Sequence, residues 1–187
     1  ALKGNSKVQG DWGEMLLETI LDSSNLIKGV HYQTQENIKD NETGANLRPD
    51  VILNLPEGKQ IGIDSKVSLT AYVTYSETDA PEAQQRAVKE HVRSVRSHIA
   101  ELAGKSYQTL LNGQNKSVSP DFVIMFIPNE PAFLLAMQQD SALWSDAYNR
   151  KVIISSPTNL FALLKIVDDL WKRDGQSKNA LAIATEG

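Results

Sequence analysis

Two aspartates and a lysine are the residues of this sequence whose types and spacing could do chemistry. Asp50 follows a proline at the start of one apolar, strand-like run, and Asp64-Ser65-Lys66 ends the next run. Carboxylate oxygens are the ligands that Mg²⁺ prefers, and a water bound to such an ion becomes a nucleophile at neutral pH. A neighbouring ammonium can orient that water and stabilise developing negative charge. Placed together, these groups suit the hydrolysis of a phosphodiester.

The register of the predicted hairpin decides whether these side chains meet. Pro56-Glu57-Gly58 separates the two runs, and its glycine can take the left-handed conformation that a three-residue hairpin loop needs. Leu55 then faces Lys59, and counting back places Asp50 directly opposite Asp64, with Cβ atoms about 5 Å apart. Both aspartates therefore lie on one face of the hairpin.

The charges on that face need a counter-ion. Two bare carboxylates at this distance repel each other, so that one protonates unless a cation lies between Asp50 and Asp64. Mg²⁺ or Mn²⁺ would remove the conflict. Lys66 lies on the same face as Asp64, about 6.5 Å further along the strand. The register therefore predicts a divalent-metal site with a lysine beside it.

A simpler interpretation of the same residues is a surface ion pair between Asp64 and Lys66. An acid two residues before a lysine carries little information by itself, because short motifs often match by chance. Glu57-Gly58-Lys59 has the same form, but it lies in the predicted turn and cannot present both groups on a strand face. The accompanying Pro49-Asp50 and the predicted register make the metal site as good an interpretation as the ion pair, and both remain open at this point.

The elements that must position these residues alternate between helices and strands. Helices are predicted over 11–21, 80–111, 131–138, 141–148 and from 157 onward, and strands over 31–38, 48–55, 59–66, 121–127 and 151–155. The run DFVIMFI at 121–127 is typical of a strand buried on both faces. Ser156 and Pro157 predict the start of the last main helix. This order predicts an α/β fold with a central mixed sheet flanked by helices.

The long helix predicted over 80–111 carries a row of four cations, which we call the basic stripe. It consists of Arg86, Lys89, Arg93 and Arg96. Their spacing places them within an arc of about 80° beside the apolar face of the helix. One interpretation is a solvated face, and the other is a track for DNA phosphates. His91 and His98 lie two turns apart on this helix, which favours hydrogen-bonding roles over joint binding of one ion.

Composition narrows the possible functions. The chain of 187 residues suits one domain, and its 41% apolar residues can form a core. The absence of cysteine excludes disulfides and thiolate metal sites, and it fits a reducing compartment. The net charge of −4 excludes a protein that grips DNA by bulk positive charge, so any nucleic-acid contact needs a local patch. Trp12, Trp144 and Trp171 fall at helical positions and are predicted to lie in the core.

Several short blocks of the sequence are unusual combinations of residues. They include Trp12-Gly13-Glu14, Arg48-Pro49-Asp50, Ile63-Asp64-Ser65-Lys66-Val67-Ser68-Leu69, Met125-Phe126-Ile127-Pro128 and Ser156-Pro157-Thr158. Through these blocks nearly the whole chain resembles the RmuC family of DNA recombination proteins. Asn159 departs from the family pattern, in which a second threonine or a similar residue is usual. Pro49-Asp50 with Asp64-Ser65-Lys66 is also similar to the PD-(D/E)xK signature of nucleases.

The resemblance implies a restriction-endonuclease-like αβββαβ core with C-terminal additions. It also implies a Mg²⁺- or Mn²⁺-dependent deoxyribonuclease, which is a hydrolase. The implied catalytic residues are Asp50, Asp64, Lys66 and Glu14, and the implied metal contacts are Asp50, Asp64, Ser65 and Glu14. Glu14 also follows Asp11 by three residues, which is typical of a helix-capping box, so two roles are open for it.

The same resemblance implies the wider setting of the chain. Residues 1–187 are expected to form a single domain excised from a longer protein with an upstream coiled coil, through which it would form a homo-oligomer. DNA is the expected partner, including branched or repeat-derived structures, and no small-molecule cofactor is expected. The expected location is cytoplasmic, with a membrane anchor in a segment outside this chain as an open alternative.

Three functions remain open from the sequence. The first is a nuclease, the second a DNA-structure-binding domain without turnover on the same fold, and the third a purely architectural domain. The complete set of Asp50, Asp64 and Lys66 favours the first, because a site that has lost its activity need not keep all three residues.

Overall fold

The computed structural model describes residues 2–34, 49–104 and 122–186 of the chain. Within these ranges there are six α-helices and five β-strands. The helices are α1 (Leu2–Ser23), α2 (Thr70–Glu77), α3 (Pro81–Gly104), α4 (Glu130–Gln139), α5 (Leu143–Asn149) and α6 (Pro157–Glu186). The strands are β1 (Tyr32–Thr34), β2 (Val51–Asn54), β3 (Gln60–Asp64), β4 (Val123–Phe126) and β5 (Val152–Ser155).

The five strands form one mixed sheet in the order β1-β2-β3-β4-β5. The pairs β1–β2 and β2–β3 are antiparallel, whereas the pairs β3–β4 and β4–β5 are parallel. The start of β2 and the carboxyl ends of the three parallel strands therefore meet at one edge, which we call the carboxyl edge. The predicted α/β fold with a mixed sheet flanked by helices is confirmed.

Helices cover both faces of the sheet, because alternate strand residues point to opposite sides. One core lies between the sheet and α3, α4 and α5, and includes Val95, Ile99, Leu102, Met125, Phe133 and Leu143. The other lies between the sheet and α1 and α6, and includes Leu17, Leu21, Leu53, Ile63, Phe126 and Leu160. Both faces of β3 are consequently buried, so a polar side chain on this strand needs a partner inside the protein.

The hairpin register predicted from the sequence is confirmed. Val51 pairs with Ile63 at the end of the ladder, so Asp50 and Asp64 occupy the next positions. The loop closes where Leu55 N donates to Lys59 O at 2.7 Å, and Gly58 has the positive φ of 74° expected of the turn glycine. The two aspartates are therefore delivered to the same end of the hairpin.

Several predicted boundaries differ from the structure. α1 begins at Leu2 instead of near residue 11, and α2 was not predicted at all. The sequence of α2, TAYVTYSE, is rich in β-branched and aromatic residues of low helix propensity, and packing along α3 overrides this preference. Arg48, Asp121 and the predicted segments 35–38 and 105–111 lie outside the described residues.

Two of the three tryptophans predicted to be core residues are exposed. Trp12 is 43% and Trp144 is 55% exposed, so the prediction is wrong for both. Helical spacing locates a face, but the width of the buried stripe depends on the neighbouring elements. Trp171 is partly buried and donates its indole N–H to Asn54 O at 3.1 Å, which ties α6 to the end of β2.

Candidate active site

The predicted site residues gather at the carboxyl edge of the sheet. Asp64 is the last residue of β3, and Asp50 directly precedes β2. Ser65 and Lys66 follow Asp64 as the chain leaves the sheet. This edge is where ligands bind in open α/β folds, because the strands end there and the connecting loops diverge.

Asp50 is held by the residues that follow β3. Its Oδ2 accepts hydrogen bonds from Ser65 N at 2.9 Å and from Ser65 Oγ at 3.0 Å. Its Oδ1 lies 3.5 Å from Lys66 Nζ, and the two side chains are 15% and 35% exposed. The carboxylate is thus fixed in position and remains open to solvent on one side.

A glycine allows Asp50 to take this position. A methyl group on Gly62 would lie 2.9 Å from Pro49 Cγ, closer than non-bonded carbon atoms come. Gly62 therefore lets the proline ring lie directly on β3, and Asp50 follows the ring. The Pro49-Asp50 pair of the sequence motif works together with this glycine on the neighbouring strand.

Helix α1 brings Glu14 to the same place. A methyl group on Gly13 would lie 3.2 Å from Pro128 Cγ and 3.7 Å from Ser65 O, so the helix approaches the carboxyl edge closely at this residue. The side chain of Glu14 is exposed. Partial desolvation by the surrounding protein first, and the negative charge of Asp50 second, raise the pKa of Glu14 above its ordinary value, while Lys66 opposes the rise. The charges of Asp50 and Lys66, from other elements of the fold, therefore act on Glu14.

The capping-box role of Glu14 is wrong. Because α1 begins at Leu2, Asp11 lies inside the helix and is not its N-cap. A capping box needs a residue with non-helical backbone at that position. Of the two roles left open by the sequence, membership of the site remains a prediction that agrees with the position of Glu14.

Asp64 has a different environment from Asp50. It is fully buried, and its Oδ1 accepts hydrogen bonds from His98 Nε2 at 3.2 Å and from Lys66 N at 3.0 Å. Burial alone would raise the pKa of Asp64, but these hydrogen bonds and the charges of His98 and Lys66 hold it below its ordinary value. The expected protonation of one aspartate therefore does not occur at Asp64, because protein donors take the part assigned to a cation.

Glu14 and Asp50 are the side chains of the site with oxygen atoms suited to a divalent ion. Glu14 and Asp50 supply oxygen atoms that repel each other, and a cation would relieve that repulsion. Throughout residues 2–34, 49–104 and 122–186, no three acidic or imidazole side chains lie close enough to hold an ion by themselves. Mg²⁺ needs only one or two carboxylates when waters and substrate phosphates complete its shell. The chemistry of Glu14 and Asp50 fits such an ion.

The histidines of α3 have the hydrogen-bonding roles predicted for them. His91 is buried and shares a hydrogen bond of 2.7 Å between its Nε2 and Ala132 O. His98 contacts Asp64 and also lies 3.5 Å, through Nδ1, from Glu101 Oε2. The contact with Asp64 was missed in the sequence, because no local spacing relates residues 34 positions apart.

The basic stripe does not form a continuous free surface. Arg93 pairs with Glu90 at 2.7 Å, and Arg96 pairs with Asp140 and Asp146. These acids raise the pKa of Arg96 and tie α3 to the α4–α5 segment. Arg86 and Lys89 are exposed, and none of the described residues forms an ion pair with Arg86. Use of the stripe by DNA remains a prediction, with Arg86 and Lys89 the better placed pair.

A further carboxylate, that of Glu130, lies elsewhere on the carboxyl edge. Glu130, the first residue of α4, accepts a hydrogen bond from Thr158 N at 2.5 Å. Burial would raise the pKa of Glu130, but hydrogen bonds from Thr158 and Ser156 lower it. Ser156 Oγ also accepts from Asn159 N at 3.2 Å, which confirms the cap predicted for the last helix. This end of the edge is a structural joint between α4 and α6.

The fold and these side chains define a class of protein. It is an α/β domain with an acidic, lysine-containing site at the carboxyl edge of its parallel strands. The chain belongs to the RmuC family, whose model matches residues 1–187. The family resemblance of the sequence is thereby confirmed. No helix in the described part of the chain is long and apolar enough to span a membrane.

Relatives in several bacteria share this domain. The chain is 47% identical over 191 residues to the DNA recombination protein RmuC homolog of Neisseria meningitidis, and 45% identical over 184 residues to that of Pseudomonas aeruginosa. It is 41% identical over 184 residues to the DNA recombination protein RmuC of Escherichia coli. These alignments cover 98% to 100% of this chain but only 32% to 39% of the relatives. No solved structure matches the chain.

Proposed function

We propose that this domain is a metal-dependent DNA nuclease-type domain that acts in DNA recombination. The observation that carries the proposal is the position of Asp50, which is held by Ser65 and lies 3.5 Å from Lys66 at the carboxyl edge. Helix α1 approaches Ser65 at Gly13, the residue before Glu14. The relatives are named DNA recombination proteins, which supports DNA as the substrate. A PD-(D/E)xK motif in a restriction-endonuclease-like core is part of this proposal.

The proposal gives each side chain a task. Asp50 and Glu14, with Asp64 and the neighbouring Ser65, would hold Mg²⁺ or Mn²⁺. When bound, the ion would polarise the phosphate and lower the pKa of a water. Lys66, whose ammonium lies 3.5 Å from Asp50 Oδ1, would orient the attacking water and stabilise the negative charge of the transition state.

Asp64 and His98 fit this scheme. A carboxylate binds a metal ion only when it is deprotonated, and the hydrogen bond from His98 helps to keep the pKa of Asp64 low. His98 is a positioning residue here, because it acts through Asp64 and not on the substrate. The buried Asp64 carboxylate would then be deprotonated and able to bind a metal ion at the carboxyl edge.

A second function is a DNA-structure-binding domain without turnover. One observation favours it: Lys66 and His98 satisfy Asp50 and Asp64 without any ion. In that case Lys66 would serve as a phosphate contact, and the acids would only fix its position. The two functions share the fold and differ in whether phosphodiester bonds are cleaved.

One experiment separates the two functions. Purified protein is incubated with branched, single-stranded and duplex DNA, in MnCl₂ or in EDTA, beside an Asp50→Asn control. The nuclease predicts cleavage that needs Mn²⁺ and is lost in the control, and Mn²⁺ should raise the melting temperature of the wild type by mass action. Metal-independent DNA binding, with no cleavage and no thermal response to millimolar Mn²⁺, would support the non-catalytic function instead.

A further inference from the structure

A groove runs between α2 and α3 on the side of the protein next to Lys66. Its volume is about 500 Å³, within the range of pockets that hold drug-sized ligands. Its polar lining residues are Ser68, Thr70, Thr74, Arg86, Glu90 and Ser94, and alanines form the rest. Four hydroxyl groups and one guanidinium therefore face a space of limited width.

Two lining residues of the groove are close in the chain to residues of the candidate active site. Ser68 lies two residues beyond Lys66 on the segment that leaves β3. Ser94 lies one helical turn before His98, which contacts Asp64. Arg86, near the start of α3, also lines the groove. A ligand lying along the groove would therefore point from Arg86 toward Lys66.

The charges of the groove favour an anionic ligand. The carboxylate of Glu90 is neutralised by Arg93 at 2.7 Å. Arg86 has no such ion pair with any of the residues described in the structure. One guanidinium thus remains to contact a phosphate. Arginine, serine and threonine supply many of the phosphate contacts in DNA complexes.

We propose that this groove holds the sugar–phosphate backbone of a single DNA strand and leads it to Lys66. The inference rests on the proposed function for what happens at the inner end, and it adds the path and the strandedness of the ligand. A volume of about 500 Å³ is suited to a short stretch of one strand. Arg86 and the hydroxyls of Thr70 and Ser94 donate to phosphate oxygens, while the alanines pack against the sugars. The hydroxyls of Ser68 and Thr74 already donate to Thr70, at 3.3 Å and 3.2 Å.

The first test removes the charge at the outer end. Arg86→Gln is compared with Arg173→Gln, which makes the same change on an exposed position of α6. Anisotropy of a fluorescent single-stranded oligonucleotide is measured in EDTA over a salt series. Arg86→Gln should weaken binding several-fold and reduce the salt slope by about 0.7, the value for one phosphate contact on a single strand. Equal effects of the two variants would overturn the groove.

The second test locates the strand directly. The chain has no cysteine, so one introduced thiol reacts alone. Ser94→Cys, inside the groove, is compared with Ser97→Cys, on the exposed side of the same helix. An oligonucleotide with a disulfide tether on one phosphate exchanges with the protein thiolate and releases the small thiol. Cross-linking should be several-fold faster at residue 94, and equal rates would contradict the proposal.

These tests separate the groove from the nuclease. Binding and cross-linking need no cleavage, so a strand that binds here in EDTA and is not cut when Mn²⁺ is supplied would overturn the proposed nuclease and leave the groove. Metal-dependent cleavage with unchanged affinity in Arg86→Gln would overturn the groove alone. A protein that binds no DNA in either assay would overturn both.

Discussion

Two glutamates at the carboxyl edge of the same sheet have opposite pKa shifts. Partial desolvation and the charge of Asp50 raise the pKa of Glu14, whereas hydrogen bonds from Thr158 and Ser156 overcome burial and lower that of Glu130. Both lie on helices that pack against this edge. The difference is that Glu130 accepts hydrogen bonds at the start of α6, whereas desolvation and then the charge of Asp50 disfavour an ionised Glu14.

This contrast separates a structural carboxylate from a candidate functional one. An ionised Glu130 stabilises the folded state, because its hydrogen bonds are lost on unfolding. An ionised Glu14 destabilises the folded state, because the desolvation and the charge of Asp50 that oppose its ionisation are absent from the unfolded chain. Charged groups kept in unfavourable surroundings are typical of sites that act on a ligand, although structural networks also shift pKa values. The proposed function assigns the ligand to the Glu14 end of the edge, and the charge of Lys66 acts there.

Asp64 lies between the two cases. It belongs to the predicted metal set, as Glu14 does, but its oxygen has protein donors, as that of Glu130 does. Its pKa is lowered, so its ionised form stabilises the fold. Variants of Lys66, His98, Glu130 and Glu14 test this difference between structural and candidate functional side chains, from the largest expected effect to the smallest.

Removal of the Lys66 charge should have the largest effect, on cleavage and not on stability. Lys66→Met keeps most of the side-chain stem but loses the ammonium, and single-turnover DNA cleavage should fall by about 100-fold or more. Lys59→Met is the matched control, because Lys59 belongs to the second acid-x-lysine sequence of the chain and pairs with Glu57 at 3.7 Å in the turn. Equal cleavage by both variants would show that Lys66 is only a structural ion-pair partner.

Loss of His98 should reveal how Asp64 is held. His98→Ala removes a hydrogen bond to a buried charge and should cost about 3 kcal/mol at pH 7. Because the folded pKa of Asp64 lies below 3.8, its contribution is complete above that pH and is lost as the pH falls through the folded value. The stability gap to the wild type should therefore be constant above about pH 5 and narrow as the pH falls below 3.8.

Chemical denaturation over that pH range measures the gap. Asp64→Asn is the control background, since His98→Ala should cost less when no charge is present at residue 64. A gap that is constant with pH would mean that His98 stabilises the fold by packing alone.

Glu130→Gln should lower stability and leave the site intact. The amide binds Thr158 N less strongly than a carboxylate, so the cap of α6 weakens by about 1 kcal/mol. The melting temperature should fall by about 2–4 °C. The increase in melting temperature produced by Mn²⁺ should be the same as in the wild type. A reduced response to Mn²⁺ would place Glu130 in the site and remove the contrast with Glu14.

Glu14→Gln should have the smallest effect and the opposite sign. Removing a charge whose folded pKa is raised above 4.5 should stabilise the protein at pH 7, by no more than about 2 °C in melting temperature. The gain should vanish well below pH 4.5, where the carboxyl is neutral in both states. The Mn²⁺ response should shrink. A lower melting temperature at pH 7 would show that Glu14 has a stabilising partner.

Local patterns in the sequence were enough to determine the fold class and the hairpin. The alternation of apolar residues and the Pro56-Glu57-Gly58 turn set the register that puts Asp50 and Asp64 at adjacent ends. Ser156 and Pro157 marked the start of α6. These features follow from backbone periodicity and turn chemistry, which neighbouring residues control. The family blocks added Glu14 to the site through resemblance and not through spacing.

Only the tertiary structure decided which partner each charged side chain has. The contact between His98 and Asp64 spans 34 positions, and that between Arg96 and Asp140 spans 44. Glu14 comes under the charge of Asp50 because Gly13 lets α1 approach Pro128. The capping box is excluded because α1 begins at Leu2, nine residues before Asp11. Such pairings depend on how helices pack on the sheet, and an electrostatic interaction depends on the final distance and burial of both groups. Sequence spacing carries neither quantity for residues that are far apart in the chain.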